Sequence, residues 1–158
     1  MDKYLIKPTP TVDTFDLLED EPIAAPSALI LGILGHSSDS YWSKKTLVEN
    51  LITPILEQEK TDLHTLLLPN EGNTSILLQA WADCLCIKNS TYASDWKVLG
   101  RRARGIRDSR ILKESSHLLI FLGTRSDYYE KIAIREVKKG RVVYTVDAKT
   151  HELVQWEL

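Results

Sequence analysis

The sequence predicts a small α/β domain, a three-layer sandwich around a mostly parallel sheet, and three observations carry that expectation. Short apolar runs alternate with longer stretches of helical periodicity. The clearest runs are apolar throughout, as in strands buried on both faces. Turn-forming glycine, asparagine and serine close them. A chain of 158 residues suits one hydrophobic core. We assign that core to residues 27–158, behind an N-terminal arm of residues 1–26 that is extended or partly disordered.

The arm carries prolines at 8, 10, 22 and 26 and the acidic cluster Glu19, Asp20 and Glu21. Its apolar residues Tyr4, Leu5, Ile6, Phe15, Leu17 and Leu18 suggest docking of part of it, on the domain or on a partner subunit. ALILGILG from Ala28 reads as the first strand. Ser43 is a candidate cap for a helix running to about Gln58, with Leu47, Val48, Leu51, Ile52, Ile55 and Leu56 at helical spacing. Pro54 predicts a kink or break within it.

Leu63 to Leu68 is the second expected strand, and Thr74 or Ser75 is the expected cap of the next helix. Cys84 to Ile87 reads as a short third strand, NSTYASDWKVLG as irregular, and the stretch from Ile106 as helical. His117 to Leu122 is the clearest buried strand. After it, YYEKIAIREVKK reads as a helix whose final lysines complement the dipole, with Gly140 just beyond its end. RVVYTVD is a fifth strand, and the remaining residues form a closing hairpin. Together these elements predict a Rossmann-like architecture.

Composition narrows the function classes. At 43% hydrophobic and 27% charged, with a net charge of −2, the chain is globular in character and carries no overall pull toward nucleic acid. No apolar run approaches a membrane span, and the N-terminus lacks the basic start and apolar core of a secretory signal. Cys84 and Cys86, expected as buried small hydrophobes, would point to opposite faces of a strand. They predict neither a disulfide nor a metal site, and a reduced, cytoplasmic setting follows. No cofactor or metal is expected. A sheet with an outlying arm and hairpin has edges to cover, which predicts a homo-oligomer.

In a parallel α/β sheet the loops after successive strands reach one rim, and ligands bind there. Three loops qualify: Gly35, His36, Ser37 and Ser38 after the first strand; Asn70, Glu71, Gly72, Asn73 and Thr74 after the second; Gly123, Thr124, Arg125 and Ser126 after the fourth. Each precedes a helix start, where free backbone N–H groups favour an anion. None is a Walker loop or a GxGxxG fingerprint. Arg101, Arg102, Arg104, Arg107, Arg110 and Lys113 form the strongest charge feature. Arg107 and Arg110 share a helix face from which they can reach the rim, or else lie solvated beside Asp108 and Glu114. Trp81, Trp96 and Trp156 are expected in the core or at an interface, and Trp42 beside the pocket mouth.

The order of these pieces resembles the SLOG superfamily, nearest to its small YspA-like branch related to DprA and to the LOG (lysine-decarboxylase-like) proteins. The corresponding residues are Gly35 and Ser37, Gly72 with Thr74, Trp81 with Ala82, Asp95 with Trp96, Gly100, Arg107 with Asp108, and Gly123 with Thr124. The resemblance spans roughly residues 27–146. It implies a Rossmann-like sheet that binds a nucleotide or nucleotide-derived phosphate ligand. By the LOG branch it also implies a catalytic arginine and glutamate, matched by Arg107 and most nearly by Glu130, that cleave the N-glycosidic bond of a nucleotide. FLGTRSDYYE lacks that branch's run of glycines, and each lost glycine adds a Cβ where a phosphate would be wrapped. Ligand binding is therefore the leading expectation. A nucleotide hydrolase and an oligomeric structural protein without ligand are its competitors.

Overall fold

A computed structural model describes residues 28–35, 40–123 and 127–157. Six strands form one sheet in the order β3-β2-β1-β4-β5-β6: β1 Leu29–Gly35, β2 Leu63–Pro69, β3 Lys88–Tyr92, β4 His117–Phe121, β5 Val142–Val146 and β6 Leu153–Gln155. The first five are parallel, and β6 runs antiparallel to β5. The closing hairpin is thus present. Its turn is fixed by Asp147, whose Oδ1 accepts from the backbone N–H groups of Lys149 and Thr150 at 2.7 and 2.9 Å.

Both faces of the sheet are covered, which explains the continuous apolarity of the central strands. One face packs under α1 (Lys44–Leu47), α2 (Thr53–Glu59) and α3 (Asn73–Cys84), through Leu47, Leu51, Ile55 and Leu78. The other packs under α5 (Ala103–Glu114) and α6 (Tyr128–Lys138), through Ile111, Leu112, Ile132, Ala133 and Val137. Successive residues of β4 alternate between the two cores: Leu118 and Ile120 to one, Leu119 and Phe121 to the other. Gly32 allows α5 to lie close on β1. A Cβ there would stand 2.0 Å from Ser115 Oγ and 2.9 Å from Ile111 Cγ2.

Ser43 caps α1 as expected: its Oγ accepts from Thr46 N, and Thr46 Oγ1 accepts from Ser43 N. The effect of Pro54 is a π turn, Val48–Ile52, that joins α1 to α2, with Thr53 N–H donating to Val48 O. The wider turn falls just before the residue that cannot donate and whose ring would crowd the preceding turn.

Residues 84–87 are not a strand. α3 continues through Cys84, and Cys86 adopts a left-handed φ of 57°. Ile87 N donates to Ala82 O and Cys86 N to Asp83 O, the paired bonds of a helix-ending Schellman turn. The third strand is the polar KNSTY that follows, at the sheet edge, where polarity discourages pairing with another chain. Both cysteines are exposed rather than buried. The segment after β3 holds a short helix α4 (Trp96–Leu99) and a 3-10 turn, Gly100–Arg102, leading into α5.

Candidate functional site

The parallel strands deliver the ends of β1, β2, β3 and β4 to one rim, and the direction of strand order reverses there between β1 and β4. In open α/β sheets this reversal point is the usual place for a ligand. Gly35 and Phe121 are register partners at that point. Gly35 has φ +104°, and a Cβ on it would lie 2.0 Å from Phe121 O, so only glycine lets the two strand ends approach this closely.

α3 opens on the same rim. Its cap is Gly72, at φ +100°, not Thr74 or Ser75, which sit buried in the first helical turn. The left-handed backbone at Gly72 swings the chain sharply from the β2 loop into the helix, and this places Asn73, Thr74 and Ser75 at the helix start. Two buried donors belong to this region. Trp42 Nε1 and Ser75 Oγ have no hydrogen-bond partner among the described residues. Trp42 meets Phe121 edge-on at 6.3 Å and His151 at 5.6 Å, and Tyr41 stacks on His151 at 3.7 Å. These aromatic rings cluster at the ends of β4 and β5. Trp42 is therefore a core residue at the rim, whereas Trp96 is 49% exposed.

Arg107 reaches the rim from α5, but buried and paired, not solvated. Its side chain is 4% exposed; Nη1 donates to Glu71 Oε1 at 2.7 Å and Nε to Asp108 Oδ1 at 3.2 Å. Tyr129 on α6 donates to the other oxygen of Asp108 at 2.9 Å. Burial would lower the Arg107 pKa, yet the two carboxylates outweigh it and hold the guanidinium more firmly charged than usual. Asp108 is pushed the other way. Burial raises its pKa, and Arg107 and the Tyr129 hydroxyl only partly offset that. Arg110, on the same helix face, stands over the Tyr92 ring at 4.9 Å.

The expected ligand residues Gly35, Gly72, Asn73, Thr74, Arg107 and Gly123 thus all belong to the rim or its first helical turns. His36, Ser37, Thr124 and Arg125 lie outside the described residues. Glu130 is exposed in the first turn of α6 and makes no hydrogen bond or ion pair among the described residues. Glu71 and Tyr129, which complete the arginine network, carry no sequence signal beyond membership of a turn and of a helix face. Trp42 and Ser75 reveal themselves only through burial without a partner.

A second polar network occupies the opposite, N-terminal edge of the sheet. His117 Nε2 meets Glu59 Oε1 at 2.9 Å, and Tyr144 donates to Glu59 Oε2 at 2.5 Å. His117 Nδ1 lies 2.8 Å from Ser116 Oγ, which also accepts from Ile30 N. These bonds tie α2, β1, β4 and β5 together. Among the described residues no three His, Cys, Asp or Glu side chains could hold a metal ion together, and no helix is long and apolar enough to cross a membrane. Comparison of the chain with known protein families, curated proteins and solved structures gave no match.

Proposed function

We propose that the crevice between the ends of β1 and β4 binds a nucleotide or a nucleotide-derived phosphate ligand. The observation that carries this reading is the pair of buried donors at the rim, Trp42 Nε1 and Ser75 Oγ, that have no hydrogen-bond partner among the described residues. Leaving such a group unsatisfied costs about 1–3 kcal/mol. A guest with acceptor oxygens offsets that cost, and the N-terminus of α3 behind Ser75 favours the same negative charge. The resemblance to the SLOG superfamily points the same way.

Arg107 enters this reading through Glu71. Its guanidinium is already neutralised by Glu71 and Asp108, and the Glu71 side chain that holds it is 56% exposed. A phosphate that replaces the Glu71 carboxylate takes over a charge-assisted bond with no rearrangement of the buried arginine. Binding, not turnover, is the proposal, because Glu130 stands exposed and makes no hydrogen bond or ion pair among the described residues.

Calorimetric titration of the chain with nucleoside mono- and diphosphates, with inorganic phosphate as the minimal probe, tests it. Saturable binding of a nucleotide is expected. Trp42→Phe and Ser75→Ala, each removing one donor, should weaken it by about fivefold to tenfold. Absence of binding by all these probes at millimolar concentration would overturn the proposal.

A further inference from the structure

A groove of about 700 Å³ runs along the outer side of the α5–α6 layer. Arg101, Arg102, Arg104 and Arg135 line it, together with exposed Trp96 and Ile106. Arg101, Arg102 and Arg104 form no ion pair among the described residues. Among the described residues Asp108 contributes the groove's one carboxylate, and that group is held by Arg107 and Tyr129. A chain whose overall charge is −2 therefore concentrates unpaired positive charge in one partly apolar channel. Such a surface fits a partner that is both acidic and hydrophobic.

The chain contains such a segment. Residues 13–21, DTFDLLEDE, hold five carboxylates, three large apolar residues and no base. Its tether is suitably placed. Ser116, just past the end of α5, donates from its backbone N to Ile30 O at 2.9 Å, and its Oγ lies 3.5 Å from Ala28 O. The start of β1 thus lies beside the Leu112 end of the groove. Glu21 is seven residues before Ala28, a span of at most about 23 Å, and Asp13 fifteen residues before it, at most about 50 Å. α5 itself is about 18 Å long. The segment can reach every part of the groove from its own chain.

We infer that the arginine groove between α5 and α6 is a docking site for the acidic segment Asp13–Glu21 of the same chain. The carboxylates of Asp16, Glu19, Asp20 and Glu21 meet the arginines, while Phe15, Leu17 and Leu18 cover Trp96 and Ile106.

A glutamate-specific endoprotease acting on the full chain tests this, because it cuts after Glu19 and Glu21. In low salt, cleavage at those sites should be at least fivefold slower in the parent chain than in an Arg101→Gln, Arg104→Gln, Arg135→Gln variant. Cleavage after Glu157 serves as the internal reference, and a circular dichroism spectrum checks that the variant is folded. The difference should vanish at 0.5 M salt, roughly where screening shortens to a few ångströms. Phe15→Ala with Leu17→Ala, which leaves every charge in place, should also speed cleavage. Equal rates in parent and arginine variant would overturn the proposal. Protection that grows with protein concentration would overturn it as well, by assigning the groove to the segment of a second copy.

Discussion

Arg107 on α5 donates to Glu71, thirty-six residues earlier in the β2–α3 loop, at 2.7 Å from an almost fully buried position. The same guanidinium meets Asp108, whose second oxygen accepts from Tyr129 on α6. One cation thereby joins a loop and two helices, and the strand-end rim and the arginine groove share its neighbour Asp108.

Removing that cation leaves Asp108 buried with a hydroxyl as its only remaining side-chain partner among the described residues. Arg107→Ala should cost about 3 kcal/mol, the scale of breaking a buried ion pair. Glu71→Gln, at the exposed end of the same interaction, should cost less than about 1 kcal/mol. Urea unfolding of both variants checks the contrast. A near-neutral Arg107→Ala would mean that the guanidinium is solvated.

The acid limb of stability should depend on Glu136. Burial raises its pKa, but hydrogen bonds and ion pairs from Arg135, Lys139 and Arg141 overcome that and hold the carboxyl below its usual value. A folded pKa below the unfolded one gives stability that is complete above the unfolded pKa of about 4.3 and is lost as pH falls through the folded value. Glu136→Gln should therefore be less stable than the parent at neutral pH and show a flatter decline below about pH 4. Asp108 has the opposite sign: with its pKa raised, it favours the fold most at low pH and loses that contribution as pH rises. Thermal unfolding from pH 3 to pH 7 separates the two.

Alkaline titration should be biphasic. Burial and the hydrogen bond to Glu114 push the Tyr92 hydroxyl up to about 12. Burial and neighbouring carboxylates also raise Tyr129 beside Asp108 and Tyr144 beside Glu59. Raised folded values stabilise the protein below the unfolded pKa of about 10 and lose that contribution as pH rises through them. Absorbance at about 295 nm should thus leave these three tyrosines un-ionised at about pH 11, with a late phase that coincides with unfolding.

The close approach of α5 to β1 gives a paired prediction. Gly32→Ala drives a methyl group against Ser115 Oγ and Ile111 Cγ2, and should cost about 2 kcal/mol or more through overpacking. Ser115→Ala removes the nearest atom, at the expense of the bond from Ser115 Oγ to Ile111 O. The double variant should recover part of the Gly32→Ala loss, and a double-mutant cycle measures the coupling. Strict additivity would show that the clash is relieved elsewhere.

Much of this architecture was legible in the sequence because a parallel sheet buried on both faces writes itself as apolar runs. Leu29–Gly35, Leu63–Pro69, His117–Phe121 and Val142–Val146 carry that mark. β3 does not, because an edge strand such as KNSTY needs no apolar run, and the apolar tail of α3 before it resembles a strand. The rim residues could be placed from the order of strands and loops alone. What periodicity could not supply was the state of each side chain. Arg107 sits among Arg101, Arg102, Arg104 and Arg110, which are exposed, and only tertiary packing buries it against Glu71 and Asp108. The unpartnered donors of Trp42 and Ser75 are properties of packing that no spacing encodes.

The π turn at Val48–Ile52 means that the first helical layer holds one residue more than an α-helix between the same end points would use. Leu47 before it and Ile55 after it both face the sheet. Its length can therefore change by one unit without altering which side chains point inward. Deleting the exposed Glu49 while replacing Pro54 with alanine, so that the tighter coil is not obstructed by a ring, should yield a regular helix seated on an undisturbed core.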